Sequence, residues 1–495
     1  MPTRPPELEF EKKLDYFSRV LVINPLNTYW SYQLSSELAL RSREFTPEVR
    51  WVNVAPKTPL KFEINLADHY SIFLHGRVNR RVAKLLNKSG ISTSEKLLKM
   101  KHAEFSSGFN SLSELREEKF KEIPLGRMIF SAIASSLKST SFELSDVRDY
   151  LDFFLWNAYK SYAVIGKEIE EFEPNLVLTI NDRLIGSAMA VALAKQSKMN
   201  CAIAYWGSSV NHIEDYSESL YNAYEWETKI SEKWSNRAIN EPSQAMIKAQ
   251  NELDRLGKVP SSDSLRYLSE QIKGTSVDSK SEFCVFYAQS EHEHSGQLIV
   301  NPIERFASQY QAFEALQAVC KELGLALFLK FHPLPTSEAG KSNKKKRLDW
   351  ESVKLNEIVQ IIEENSSIDT YELISKAKYN VVWTSTVGLE CIARGIAPVV
   401  LGFPSWLNRD WKLHAWKEES LRKALSNDST NFDAQSLMPY FYYLNNFGSA
   451  CRFSNRALIW NEKGNEVQLL TPTLLGRLRN IFSRVRQFFR VTLSK

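Results

Sequence analysis

The chain has 495 residues, 43% of them hydrophobic and 12% aromatic, and a formal net charge of +5. At ~100–200 residues per domain this is material for two domains with additions, and the apolar content excludes a disordered chain. So mild a basic excess permits an anionic ligand or a membrane surface but does not demand a nucleic-acid footprint. The five cysteines, Cys201, Cys284, Cys320, Cys391 and Cys451, are odd in number and form no Cys-x-x-Cys pair. That usage belongs to a reducing compartment, with neither a disulfide framework nor a zinc site. Met1–Glu11 is Pro-rich and charged and lacks the apolar core of a signal peptide, and no apolar run reaches the ~18–20 residues of a spanning helix. The expectation is a cytoplasmic protein, peripheral to the inner face of the membrane if it touches one.

Taken in chain order, Arg19–Asn24 (RVLVIN) is a short apolar run stopped by Pro25, the mark of a buried strand, and Glu48–Val54 and Tyr70–Leu74 look alike. A polar, Lys- and Glu-rich stretch over about 91–162 has apolar residues at helical spacing and is expected to be a helical insertion. Asn175–Ile180 reads as a strand, Leu184–Lys195 as an Ala-rich helix and Cys201–Tyr205 as another strand. Strands alternating with helices imply parallel pairing. Residues 257–281, rich in Ser, Lys, Asp and Gly, are the expected linker. Beyond it the alternation restarts, with strands at Phe283–Tyr287, Leu325–Phe331, Tyr379–Trp383 and Ala397–Leu401. Helices are expected at Ile303–Leu323, Asp369–Lys376 and Val387–Arg394, and Gly340–Lys346 is a basic loop. The expected division is an acceptor-side α/β domain over 1–256, a donor-binding α/β domain over 282–450, and a terminal segment over 451–495. In that segment Leu474, Leu475, Leu478, Ile481, Phe482, Val485, Phe488 and Phe489 recur at helical spacing among arginines. Such a basic amphipathic helix, about 474–491, reads as a membrane-surface binder, or else as a helix docked on the first domain.

In an open parallel sheet, ligands bind beyond the carboxyl ends of the strands. In the second domain those ends are Ala288-Gln289-Ser290-Glu291, His332-Pro333, Thr384-Ser385-Thr386-Val387-Gly388 and Gly402-Phe403-Pro404. The turn at Thr384 runs from a strand into a helix, where backbone N–H groups, the Ser385 and Thr386 hydroxyls and the bare backbone of Gly388 suit a phosphate. Glu390, one turn in, could accept from two ribose hydroxyls. Simple helix capping by Ser and Thr is the plain alternative. His332, fixed by Pro333, could donate to a phosphate or serve in acid–base chemistry; a bond to a loop carbonyl is the plain alternative. The run Ser290–Gly296 holds two His and two Glu but no third ligand cluster, so a polar loop over a sugar is expected rather than a metal site. In the first domain Asp182, within Asn181-Asp182-Arg183, is the carboxylate best placed to take a proton from an acceptor hydroxyl, unless it caps the following helix. His212 and Glu214 form a second expected edge of the same cleft.

The order Phe286–Glu291, Phe331-His332-Pro333, Asp369–Ile374, Thr384–Glu390 and Arg394–Val399 resembles the capsule polysaccharide biosynthesis proteins, a group that includes bacterial Kdo transferases. The resemblance covers about 283–402. In the first domain only Asn181-Asp182-Arg183 and Trp206-Gly207 compare. It implies a GT-B fold, two Rossmann-like doubly wound domains facing a cleft. It also implies that His332 and the Ser385–Thr386 turn hold the donor phosphate and Glu390 the nucleotide ribose. The expected activity is metal-independent transfer of a sugar from a nucleotide-sugar donor (CMP-Kdo-like, or a UDP- or GDP-sugar) to a bacterial surface polysaccharide or lipid-linked glycan. The donor is a co-substrate, and no bound cofactor or nucleic-acid partner is expected. Donor-site residues are Gln289, Ser290, Glu291, His332, Pro333, Thr384, Ser385, Thr386, Gly388 and Glu390, with Asp182 and His332 catalytic. The alternatives are a nucleotide-sugar epimerase or hydrolase on the same fold, and a non-catalytic capsule-assembly protein docked at the membrane.

Overall fold

The computed structural model describes residues 16–26, 29–56, 79–80, 82–95, 108–137, 142–206, 212–217, 219, 223–240, 242–257, 281–289, 306, 308–331, 350, 353–363, 366, 368–402, 404, 414–426, 437–446 and 448–451. The strand expected at Tyr70–Leu74, nearly all of the linker 257–281, the loop Gly340–Lys346 and the helix expected over 474–491 lie outside these residues.

The first half builds strands β1 (Arg19–Asn24), β2 (Glu48–Asn53), β3 (Ser92–Glu95), β4 (Leu176–Ile180), β5 (Asn200–Trp206) and β6 (His212–Tyr216), with helices α1 (Tyr29–Phe45), α2 (Leu112–Glu117), α3 (Leu125–Leu137), α4 (Arg148–Phe172) and α5 (Ile185–Gln196). The strands lie in the order β6-β5-β4-β1-β2-β3, parallel except for β6. A parallel sheet is covered on both faces, which is why β1 and β4 read as unbroken apolar runs. Successive side chains alternate between the faces. Leu21, Ile23, Val52 and Val177 meet Ile129, Ile133, Leu151, Leu155, Ile165 and Met189 of α3, α4 and α5. Val20, Val22, Trp51 and Leu178 meet Leu34, Leu38 and Ala39 of α1.

One expectation needs correction here. The stretch 91–162 is not a purely helical insertion. It opens with β3, which pairs in parallel with β2, and its last helix runs on to Phe172. Its helices cover one face of the sheet because Leu125, Ile129, Leu151 and Leu155 find their apolar partners only there. The pattern also gives no sign of α1, whose sequence is largely polar and yet buried along most of its length. Many of its polar groups are paired inside the fold, although the buried amide of Gln33 has no hydrogen-bond partner among the described residues. Ser36 and Ser42 donate back to the Tyr32 and Leu38 carbonyls at 2.5 and 2.8 Å. Arg41 Nε meets Glu37 Oε1 at 2.8 Å. Ser31 and Ser35 donate to Asn24 Oδ1 at 2.6 and 3.1 Å, and Asn24 Nδ2 donates to Asn53 Oδ1 at 3.0 Å. The asparagines that end β1 and β2 are thus structural.

Helices α6 (Ala223–Asn240) and α7 (Pro242–Gly257) lead to the second sheet. It holds β7 (Phe283–Tyr287), β8 (Ala326–Lys330), β9 (Val359–Ile362), β10 (Tyr379–Val382) and β11 (Val399–Val400), all parallel, in the order β11-β10-β7-β8-β9. One face packs on α8 (Gln309–Glu322) and α11 (Glu418–Ser426), through Phe286, Leu327 and Leu329 against Phe313, Leu316 and Leu421. The other face packs on α9 (Thr370–Lys376), α10 (Val387–Ile392) and α12 (Met438–Asn446), and also on Ala245, Ala249 and Leu253 of α7. The fold is α/β, with two Rossmann-like doubly wound units. The boundary expected after residue 256 falls too late, because α7 buries its apolar stripe on the second sheet.

The chain then returns. Strand β12 (Ser449–Ala450) adds to the free edge of β6 in the first sheet, antiparallel, so a strand inside the span 282–450 belongs to the first unit. Glu214, 3% exposed on β6, fastens this return. It accepts from Lys233 Nζ at 2.6 Å, Lys229 Nζ at 3.4 Å and the Gly448 amide at 2.7 Å. Trp226 and Trp234 of α6 meet Tyr443 and Tyr442 edge-on beside it. Glu214 is therefore a structural anchor rather than a cleft edge. Burial alone would push its carboxyl up, but Lys233, Lys229 and the Gly448 amide together hold it below the ordinary glutamate value of 4.5. A folded-state pKa below the unfolded one adds stability that is present above about 4.5 and lost as pH falls through the folded value. The melting temperature of Glu214→Gln should lie below wild type at pH 7, and the gap should narrow as pH falls below about 4.5. A gap that stays constant from pH 7 to pH 3 would exclude this role for the charge.

Candidate functional site at the strand ends

The carboxyl ends of β7 and β10 are tied together. The Gln289 side chain, just past β7, bonds both ways with Thr384, just past β10: its Nε2 donates to Thr384 Oγ1, and its Oε1 accepts from the Thr384 amide at 3.2 Å. The Gln289 backbone is clamped in turn by Gln309, the first residue of α8. Gln309 Oε1 accepts from the Gln289 amide at 3.3 Å, and Gln309 Nε2 donates to its carbonyl at 2.8 Å. Gln309 was not visible as a site residue, because an amide at a helix start carries no motif. Gly402, past β11, also belongs here. A Cβ on it would stand 2.6 Å from the Trp383 carbonyl oxygen and 2.8 Å from Thr384 Cγ2, so only glycine lets this strand end lie against that of β10.

The turn into α10 is partly self-satisfied. The Val387 amide donates to Ser385 Oγ at 3.3 Å, and the Gly388 and Leu389 amides donate to the Ser385 and Thr386 carbonyls at 3.1 and 2.9 Å. These amides are not left open for a phosphate, so an anion here would rely on side chains. Lys330, the last residue of β8, is 4% exposed and stands two residues before His332. It was overlooked because it ends a run that otherwise reads as apolar core. His332, Pro333, Ser290, Glu291 and the rest of 290–296 lie outside the described residues.

Glu390 lies in the first turn of α10, as its spacing predicted. Burial first, and then the nearby charge of Glu390, push the hydroxyl of Tyr371 above its ordinary value. Tyr371 is in the first turn of α9, where Asp369 caps the helix by accepting from the Tyr371 and Glu372 amides at 2.7 and 3.3 Å. The Arg394 guanidinium stands 4.0 Å over the Tyr371 ring, and its Nη1 donates to the Glu390 carbonyl at 2.9 Å. Helices α9 and α10 lie on the same face, before and after β10, so both first turns reach the carboxyl-end rim.

In the first unit Asp182 follows β4 in a tight turn. Asn181 takes a left-handed φ of 44°. Its amide donates to the Ala204 carbonyl at 3.1 Å, and its side chain accepts from the Arg183 amide at 3.2 Å. The N-cap of α5 is Leu184, with no side-chain cap bond, so Asp182 is not the cap residue. Its Oδ2 accepts from the Ser219 hydroxyl instead. Gly186 brings α5 against the ends of β1 and β2; a Cβ there would sit 3.1 Å from both Pro25 Cβ and Val54 Cγ2. His212 begins β6, and burial and then Lys233 lower its pKa from the ordinary value.

Among the described residues no three His, Cys, Asp or Glu side chains gather into a metal-binding set, and no helix is long and apolar enough to cross a membrane. No family model matches the chain and no curated protein matches it. Among solved structures it is similar to Thermosulfurimonas dismutans KpsC, a beta Kdo 2,4 transferase, at 13% identity over 54% of this chain and 79% of that one, with a TM-score of 0.35. It is also similar to Methanocaldococcus jannaschii UDP-GlcNAc 2-epimerase, in complex with UDP-GlcNAc and UDP, at 11% identity over 85% of this chain and 98% of that one, TM-score 0.27. A third similarity is to CalG4, the calicheamicin glycosyltransferase, at 11% identity over 86% and 94%, TM-score 0.24. Scores this low transfer neither an activity nor a site residue to this chain.

Proposed function

We propose that this chain is a metal-independent glycosyltransferase that moves a sugar from a nucleotide-sugar donor to a glycan or glycolipid acceptor of a bacterial surface polysaccharide. The observation that carries the reading is the rim of the second sheet. There Gln289 and Thr384 lock two strand ends together, Ser385 and Thr386 follow, and Glu390 stands one turn on. The donor lies along that rim, with its ribose at Glu390 and its phosphate at the Ser385 and Thr386 hydroxyls, His332 and Pro333, where Gly388 has no side chain to obstruct it, while Gln289, Ser290 and Glu291 flank the sugar. Lys330 adds positive charge near the leaving phosphate.

In the transfer the acceptor oxygen forms a bond to the anomeric carbon and Asp182 takes its proton. The bond between that carbon and the donor's phosphate oxygen breaks, and the phosphate leaves with the electron pair. The basic segment 474–491, whose apolar residues recur at helical spacing, would hold the enzyme at the membrane face that carries the acceptor. A thermal-shift screen of the full chain against CMP, UMP, UDP and GDP tests the donor site, since a ligand at a hundred times its Kd stabilises by about 2.7 kcal/mol. At least one nucleotide should raise the melting temperature, and His332→Ala should reduce that rise. No response to any of them sinks the reading.

A further inference from the structure

The order of the second sheet reverses between β7 and β10. The chain leaves β7 for α8 on one face and β10 for α10 on the other, the point at which a doubly wound sheet opens a ligand crevice. The parallel pairing of these strands stops at Tyr287 and Val382, and two residues further on each come Gln289 and Thr384, joined through side chains instead. The Gln289 carboxamide bonds both the amide and the hydroxyl of Thr384, and the Gln309 carboxamide bonds both the amide and the carbonyl of Gln289. Among the described residues, the Thr384 amide and hydroxyl bond only to Gln289, and the Gln289 amide and carbonyl bond only to Gln309. Gln309 is itself fixed. It is fully buried at the start of α8, which Ser308 caps by accepting from the Gln311 amide at 3.2 Å and which buries Ala312, Phe313 and Leu316.

We infer that Gln309 is a positioning residue for the donor phosphate. It holds the Gln289 backbone so that the Gln289 carboxamide can hold Thr384, and thereby fixes where Ser385 and Thr386 present their hydroxyls. This rests on the donor site proposed above. Only a side chain that offers both a donor and an acceptor at its tip can hold the amide and the carbonyl of one residue together. Without that tip no other hydrogen bond among the described residues keeps the Gln289 amide and carbonyl, and through them Thr384, in this position.

The experiment is isothermal titration of the full-length protein with CMP, UDP and GDP at about pH 8.5 and about pH 5, well to either side of the value for a partly desolvated carboxyl. Gln309→Met keeps the length and the packing but offers neither donor nor acceptor. It should weaken nucleotide binding by about 10- to 100-fold at both pH values, the worth of one hydrogen bond to a charged phosphate. Gln309→Glu is the discriminating variant. Ionised, it only accepts, so at the higher pH it should bind as poorly as Gln309→Met. Protonated, its carboxyl again carries a donor and an acceptor, so at the lower pH it should recover toward wild type. Each affinity is taken relative to wild type at the same pH, which cancels titration of the nucleotide phosphate, and on protein shown to be folded by circular dichroism. A loss caused by altered packing alone would not be repaired by a proton. Wild-type affinity in Gln309→Met, or a Gln309→Glu affinity that stands in the same ratio to wild type at both pH values, overturns the inference while the donor site stands. If wild type binds none of the nucleotides, the donor site and this inference fall together.

Discussion

Asp182→Asn should lower sugar transfer by about a hundredfold to ten-thousandfold while leaving the fold and nucleotide binding in place. The range is what a positioned general base contributes, about 2.7 to 5.5 kcal/mol of barrier at 1.36 kcal/mol per decade. The substitution is nearly isosteric. An amide oxygen can still accept from the Ser219 hydroxyl, so the turn after β4 keeps its bond. What is lost is the capacity to take a proton. Ser219→Ala is the useful comparison. It leaves the carboxylate but removes one donor that orients it, so its effect should be much smaller. The measurement is release of nucleoside phosphate from CMP-Kdo and from UDP- and GDP-sugars, with membrane-derived glycan as acceptor. Melting temperature and nucleotide affinity are followed in parallel. If Asp182→Asn turns over within about threefold of wild type, Asp182 is not the base.

Glu37→Leu should cost about 3–5 kcal/mol of stability, because it strands a buried cation. Glu37 and Arg41 lie one turn apart on α1, both with side chains at 0% exposure, and their ion pair is 2.8 Å long. Arg41 also reaches Ser449 Oγ at 3.3 Å, so the pair connects α1 to the returning strand β12. Removing the carboxylate leaves a guanidinium that water cannot reach. Against a total stability of about 5–15 kcal/mol for a domain, that is a large share. Replacing both residues, Glu37→Leu with Arg41→Leu, should recover most of the loss, since a buried pair exchanged for apolar groups of similar volume is often neutral. Urea unfolding of wild type, the single variant and the double variant measures this. A double variant less stable than Glu37→Leu alone would mean that Arg41 stabilises the fold independently of its carboxylate.

Elements with a local signature were legible in the chain. Strands β1 and β7 match their apolar runs to the residue, because a strand covered on both faces carries its signal in every position. The start of α9 was visible at Asp369, whose carboxylate caps the two amides its spacing suggests. Elements without such a signature were missed. Strand β3, Ser-Thr-Ser-Glu, has no apolar face and exists because β2 presents an unpaired edge. Strand β6 is held between β5 and β12. Helix α1 buries polar side chains whose partners lie on β1 and β12.

The candidate site divides in the same way. The order of strand ends, the glycine past β11 and the position of Glu390 in the first turn of α10 follow from short-range pattern. Sequence by itself also determined the α/β class and the two doubly wound units. Pairing of polar groups across the fold was decided by tertiary structure alone. Gln289 meets Thr384 across 95 residues, and Glu214 meets Gly448 across 234. Glu214, read along the chain, was a carboxylate at a cleft edge; in the fold it is consumed by two lysines and an amide. The physical reason is range. Periodicity and capping act within a turn or two of chain, whereas a buried polar group must find its partner wherever packing brings one within about 3 Å.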